Sequence, residues 1–442
     1  MENKPAIGKM LDLAWNRESA ESSLERWQSI AQKEDWDFQQ QLPLLIKVFG
    51  ASWYFTRFIF FRGREILPCF ENLHMSDFST TAIANYLQQV NYTDDAESNM
   101  DLLRCAKNEL MLRIFLARVE GYLTQQQQEL SLTNLAEQVL QTTLKLVTDD
   151  NPGIRDNIAI LAMGRMAGQE MNFGSDLDLI FLYSKQESDN QSRLIKSIQR
   201  LQRHIAAPSA TGLLYEIDMR LRPHGTSGTL ISPVEYFLEF HSGDRETWER
   251  QMMTRCRSIF DPRGLVNDAL KQVGVFVYGN YDQQKLRQDV LEMRARVQHE
   301  LGSPAGKYEI KRGPGGIMDI DFITHYLQLL HGNEHVGLQT ASTREALVQL
   351  CQSGMLDESA RDELLQAYDF LKAVEGVLRI MDMKNISAFS RDPHELTVLS
   401  RALGYAGKNN LQQAKNFLAQ YKLSTATVRQ HFTDLVGPVE TY

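Results

Sequence analysis

Asp176 and Asp178 stand on either side of Leu177 at the head of an otherwise apolar run, NFGSDLDLIFLY (172–183). In an extended strand successive side chains alternate, so the two carboxylates share one face while Leu177 and Leu179 take the other. Ionised acids held that close repel, and desolvation raises their pKa values further. A cation between them removes the conflict. Some forty residues on, GLLYEIDMRLRP (212–223) sets Leu213, Tyr215, Ile217, Met219 and Leu221 on one face and Glu216, Asp218, Arg220 and Arg222 on the opposite one. Acids alternating with guanidinium groups suit a metal-bound polyphosphate: carboxylates hold Mg²⁺ and arginine forks onto phosphate oxygens. Ahead of the acids, Gly164 and Gly168 frame a loop that would let backbone N–H groups approach a phosphate at the start of the next helix. The chain has neither G-x-x-x-x-G-K-[ST] nor G-x-G-x-x-G, so the glycines carry weight only together with the acids. The plainer readings are acids at exposed strand ends, arginines paired with Glu216 and Asp218, and an ordinary strand-to-helix turn.

These residues need a scaffold, and the periodicity supplies one. Up to about residue 150 the pattern is helical: Leu132, Leu135, Val139, Thr143 and Leu146 fall at spacings of three and four. The TQQQQE stretch before them reads as a solvated helix face or loop. At NPGIRDN the character changes. Strands are predicted at 158–163, 176–183 and 212–222, with a helix at 192–206 that puts Leu194, Ile198, Leu201 and Ile205 on one face and Arg193, Lys196, Arg200 and Arg203 in solvent. Ser232 is the expected N-cap of the following helix, with Pro233 in its first turn and Glu235 at its third position. Trp248, Met252 and Arg255 sit at helical spacing and read as core packing. From about 265 the pattern is helical again, interrupted by KYEIKRGPGGIMDIDF, a short extended piece that meets glycines and restarts as a helix with Asp319 and Asp321 in its first turn. The fold class is therefore α+β, a mostly helical chain around a compact α/β unit and ending in a helical bundle. The expected division is a helical region over 1–130, the α/β domain over 131–295 and a helical domain over 296–442.

Composition narrows the function classes. Of 442 residues, 43% are hydrophobic and 23% charged, ordinary for a soluble globular protein. The balance of 47 basic against 56 acidic residues, net −9, argues against a broad grip on nucleic acid. The run LLIKVFGASWYFTRFIFFRGR is broken by Lys47, Arg57 and Arg62, which predicts a core helix pair and no membrane span. Cys69, Cys105, Cys256 and Cys351 are scattered with no metal-finger spacing, and no secretory leader is evident, so a reducing cytoplasm is expected. His325, His331 and His335 lack the spacing of a zinc site.

A Gly-containing turn, D-x-D on a strand and a third carboxylate on a neighbouring strand resemble the DNA polymerase β-like nucleotidyltransferase superfamily. Within it, MGRMAGQEMNFGSDLDLIF, LLYEIDMRLRPHGTSGTL, TWERQMMTRCR and KRGPGGIMDIDFITHYL resemble the glutamine synthetase adenylyltransferase/adenylyl-removing family over roughly 130–435. The resemblance implies a polymerase β-like central domain in which Asp176, Asp178 and Asp218 bind metal, Gly174 and Ser175 form the turn before them, and Arg220 and Arg222 neutralise phosphate charge. It implies ATP as substrate and two Mg²⁺ ions, on the order of 3.5–4 Å apart, bridged by Asp176 and Asp178. Asp218 would hold the ion nearest the nucleophile and help take the proton of a glutamine synthetase tyrosine as AMP is transferred to it. Lys311, before the Gly-rich helix entry, would close over the nucleotide. Glutamine synthetase is the implied partner, with a PII-type nitrogen-signal protein as a second; nucleic acid and membrane are not.

Two departures from the family pattern stand out. Where members read G-K-L-G-G, this chain has Gly164, Arg165, Met166, Ala167 and Gly168. Arginine changes the donor geometry, and alanine costs about 1–2 kcal/mol if its position is left-handed. Family members carry two such units, one adding AMP and one removing it by phosphorolysis, whereas one unit is evident here. LLYEIDMRLRP with KRGPGGIMDIDFITHYL leans toward the adding unit, HGTSGTL and WERQM toward the removing one. The altered glycine loop leaves a degenerate nucleotide-binding module as a third reading.

Overall fold

The computed structural model describes residues 4–149, 152–302 and 306–439. The protein is α+β and mostly helical, built around one small mixed sheet. Its strands are β1 (Ile158–Met163), β2 (Leu177–Tyr183), β3 (Ile217–Asp218), β4 (Ser232–Pro233) and β5 (Cys256–Phe260). β1 is antiparallel to both β2 and β5, whereas β3 and β4 run parallel to the two ends of β2. The sheet is buried on both faces, which is why β1 and β2 read as near-continuous apolar runs. Alternation along them divides the residues between two cores. Ile158, Ile160, Ala162, Leu177, Leu179 and Phe181 join the core made with the N-terminal helices. Ala159, Leu161, Met163, Ile180 and Leu182 join the one made with the C-terminal helices.

The early apolar run forms the helices Leu42–Ala51 and Trp53–Arg62, parted at Ser52, whose hydroxyl caps the second. The Ala96–Val119 and Gln125–Val147 helices complete that layer, and the second begins with a capping box between Thr124 and Gln127. Behind the sheet lie the helices Gln283–Leu301, Ile317–His331, Glu358–Asp382 and Asn410–Leu435, with the two-stranded ribbon β6 (Lys307–Glu309) and β7 (Ala388–Ser390). The expected divisions at 130/131 and 295/296 fall inside the Gln125–Val147 and Gln283–Leu301 helices. Among the described residues no helix is long and apolar enough to cross a membrane, and the four cysteines are free.

Several local expectations are corrected. The strand expected over 212–222 pairs only at Ile217 and Asp218, because Arg220 turns back onto Asp218 and the chain then tightens into a loop. Ser232 is not an N-cap: it pairs with Leu182 as part of β4, and the helix begins at Val234. β5 is a strand that helical periodicity concealed. Glu129 of the TQQQQE stretch is fully buried, held by Arg344 and Lys372. Trp248 is half exposed instead of packed.

Candidate active site

Parallel pairing of β2 with β3 sets Asp178 directly beside Asp218, and Asp176 one step before β2 faces the same way. One oxygen from each of the three lies within 4.8 Å of the others. Burial, then repulsion from Asp176 and Asp218, pushes the Asp178 carboxyl up to about 7, against smaller opposing pulls from Lys311 and Arg220. Asp218 moves the other way. Hydrogen bonds from Arg220, at 2.9 and 3.0 Å from Nε and 2.8 Å from the backbone N–H, hold it below the usual carboxylate range. Asp178 and Asp218 thus differ in readiness to ionise, and an all-oxygen donor set with one reluctant member is the chemistry a hard divalent cation completes.

Gly164 has φ +57°, and a Cβ there would stand 2.8 Å from Asp178 Oδ2. The residue therefore gives the carboxylate room, while its own N–H donates to the carbonyl of Arg255 at 3.1 Å. We expect Gly164→Ala to displace Asp178, lowering kcat on the order of 10²-fold and costing about 1–2 kcal/mol in urea unfolding. An unchanged kcat would show that Asp178 has no fixed position to keep. Gly168 meets a different need: a side chain would strike Arg255 and the carbonyl of Ala341. Gly174, at φ +60°, lets the turn pass close to the backbone of Lys384.

The two departures in the glycine loop, Arg165 and Ala167, are taken up by the scaffold. Ala167 lies in the short helix Gly164–Ala167 and is absent from the positive-φ residues, so it carries no left-handed penalty. Arg165 reaches the C-terminal helices, bonding Asp321 at 2.6 and 3.2 Å and Tyr368 Oη at 2.5 Å. Arg222 donates to the carbonyls of Met219, Thr226 and Gly228, bracing the loop after β3. Arg220 stays largely exposed at the mouth of the acid cluster. Lys311 is half-buried, its ammonium made less basic mainly by desolvation; its field acts on Asp178 from the Gly-rich segment before the Ile317–His331 helix. Asp319 and Asp321 are buried ion-pair partners. Asp319 takes Arg294, Arg429 and the Gly315 N–H, and Arg294 in turn ties down the carbonyls of Arg312 and Gly313.

Sequence reasoning passed over what holds the turn in place. Glu170 accepts from Arg255, Arg165, Tyr368 and the Thr343 N–H. Arg379 donates to Ser175 Oγ at 3.1 Å and pairs with Glu375, and Asn172 bonds Ser175 Oγ and the Lys372 carbonyl. An acid in GQEMNFGSD was a visible signal for Glu170; nothing local signals Arg379, some two hundred residues away in sequence.

A sequence model described as glutamate-ammonia ligase adenylyltransferase matches residues 42–272, and one described as GlnD PII-uridylyltransferase matches residues 284–436. Among curated relatives, that of Chromobacterium violaceum is 29% identical over 297 residues, covering 66% of this chain and 33% of the relative. That of Psychromonas ingrahamii is 32% identical over 265 residues, 58% of this chain and 28% of its own. That of Shewanella loihica is 27% identical over 443 positions, 94% of this chain and 45% of its own. All three are named bifunctional glutamine synthetase adenylyltransferase/adenylyl-removing enzyme. The chain spans less than half the length of these relatives. The adenylyltransferase match takes in all three clustered acids and just over half of the 442 residues, and on that ground this chain belongs to the glutamate-ammonia ligase adenylyltransferase family.

Proposed function

We propose that this chain is a Mg²⁺-dependent nucleotidyltransferase with a polymerase β-like central domain, which moves AMP from ATP to a tyrosine of glutamine synthetase. The observation that carries the reading is the convergence of Asp176, Asp178 and Asp218 on one point in a chain of this family. Those three residues would hold Mg²⁺, which when bound supplies charge neutralisation at the phosphate and a more acidic acceptor hydroxyl. Asp218, kept ionised by Arg220, would take the tyrosine proton. Arg220, exposed at the mouth, offers its remaining donors to phosphate oxygens. Gly174 and Ser175 shape the turn that leads into Asp176, and Lys311 adds positive charge felt at Asp178. Gly164 and Gly168 serve the nucleotide indirectly, through the space they leave. Arg222 acts by holding the loop that carries Arg220. Regulation of nitrogen assimilation in the cytoplasm is the corresponding role, and the uridylyltransferase-type match over 284–436 supports a PII-type protein as a second partner.

The test uses α-labelled ATP, Mg²⁺ and unmodified glutamine synthetase, with a parallel arm of adenylylated enzyme plus inorganic phosphate. We expect label on the synthetase in the first arm. ADP release in the second arm alone would reverse the direction and make this a removing unit. No turnover in either arm would reject transfer.

A further inference from the structure

Beside the acid cluster lies a recess of about 250 Å³, lined by Gly174, Ser175, Tyr54, Tyr215, Lys384 and Lys107. Lys107 comes from the Ala96–Val119 helix and is 4% exposed. Among the described residues its ammonium has no acidic partner and no hydrogen-bond acceptor; it sits over the Tyr215 ring, 4.9 Å from the centroid. A buried ammonium without a counter-ion is costly, and burial alone lowers its pKa to about 7. Ser175 supplies a second unsatisfied group. Its Oγ accepts from the Asn172 N–H at 3.0 Å and from Arg379 at 3.1 Å, so its own proton is left to donate. The residues that carry an unpaired ammonium and a hydroxyl with an unused proton both line this space, which is below the roughly 300–1,000 Å³ of sites for drug-sized ligands, with a second lysine, Lys384, on the wall.

We infer that this recess is an oxyanion subsite that receives a phosphate group, with Lys107 as its counter-ion and Ser175 Oγ as a hydrogen-bond donor. The inference rests on reading the neighbouring acids as a nucleotidyl-transfer site, and it brings the N-terminal helices into substrate binding. The phosphate could be free inorganic phosphate or the terminal phosphates of a nucleotide. The titratable groups facing Lys107 are Tyr54, Tyr215, Glu216 at the exposed rim and Lys384. None of them is a settled counter-ion, so an arriving oxyanion is accompanied by protonation of Lys107.

The test is calorimetric titration of the full chain at pH 8 with inorganic phosphate, pyrophosphate and AMP, in buffers of differing ionisation heat. Wild type is compared with Lys107→Met, which keeps the volume and removes a buried charge, and with the Asp176→Asn/Asp178→Asn double variant. We expect Lys107→Met to weaken phosphate or pyrophosphate by at least tenfold, to leave AMP within twofold, and to take up close to one proton fewer per anion bound. Preference for phosphate assigns the free ion; preference for pyrophosphate assigns the nucleotide tail. The double variant, tested without metal, should retain anion binding while losing transfer. Absence of transfer in the wild type, with Lys107-dependent anion binding intact, would reject the transfer reading and keep the subsite. Phosphate and pyrophosphate affinities within twofold of wild type in Lys107→Met, with the same proton uptake, would overturn the subsite.

Discussion

Asp176→Asn combined with Asp178→Asn is expected to lower AMP transfer at least 10³-fold and, without metal above pH 7, to make the protein more stable than wild type. The first effect follows from removing two of the three carboxylates proposed to hold a cation, which would contribute several kcal/mol to charge stabilisation. The second follows from linkage. The folded-state pKa of Asp178, about 7, lies above its unfolded value near 4. Stability is therefore whole below pH 4 and is lost as pH rises toward and through 7, where the ionised carboxylate faces Asp176 and Asp218 in a desolvated corner. The full shift corresponds to roughly 4 kcal/mol, and water at the half-buried carboxylate reduces the expected gain to about 2 kcal/mol. Urea unfolding of both proteins at pH 4.5 and pH 8, with and without Mg²⁺, checks this. The curves should converge at the lower pH and separate at the higher, and Mg²⁺ should stabilise only the wild type. A double variant less stable than wild type at pH 8 in the absence of metal would remove the repulsion argument.

Glu170→Ala should be the most damaging single change outside the acid cluster, costing about 3–5 kcal/mol. Glu170 is almost fully buried between Arg165, Arg255 and Tyr368, and it also accepts from the Thr343 N–H. Truncation leaves the guanidinium groups of Arg165 and Arg255 to share the single carboxylate of Asp321, and that penalty exceeds the value of the contacts themselves. Desolvation alone would raise the Glu170 carboxyl, but the attraction of Arg255, Arg165 and Arg344 outweighs it and holds the group well below the usual range. The sign is then opposite to that at Asp178. The stabilising contribution is full above the ordinary carboxylate pKa and is lost as pH falls through the depressed value. The stability gap between wild type and Glu170→Ala should accordingly be constant from pH 6 to 8 and shrink in acid. A double cycle with Arg255→Met, read by urea unfolding, should return a coupling of about 1.5–3 kcal/mol. Coupling near zero would mean that the network shares its charge too widely for this pair to matter.

Both predictions draw on tertiary geometry, yet much of their basis was legible earlier. β1 and the helix Gln191–Ala206 follow directly from apolar periodicity, and the helix pair at 42–62 follows from charges that interrupt one hydrophobic run. The shared face of the D-x-D pair was legible because strand alternation is a local rule. Longer pairing was harder. Only two residues of the expected 212–222 strand pair, since Arg220 finds Asp218 before the ladder can continue. β5 is five residues long and follows a helix without a strong turn signal, so its pairing with β1 has no local signature.

The sequence by itself determined the α+β class, the acids and their shared face, and the family resemblance, because each depends on residue type and short-range spacing. The tertiary structure alone decided which charges serve the site and which serve the scaffold. Arg165, which stands where the family pattern has lysine, is held by Asp321 and Tyr368. Arg379 braces Ser175 from another helix, and Lys107 is left without a counter-ion beside the same turn. The physical reason is that an ion pair is settled by distance and desolvation between segments one to two hundred residues apart, and neither quantity is written in local periodicity.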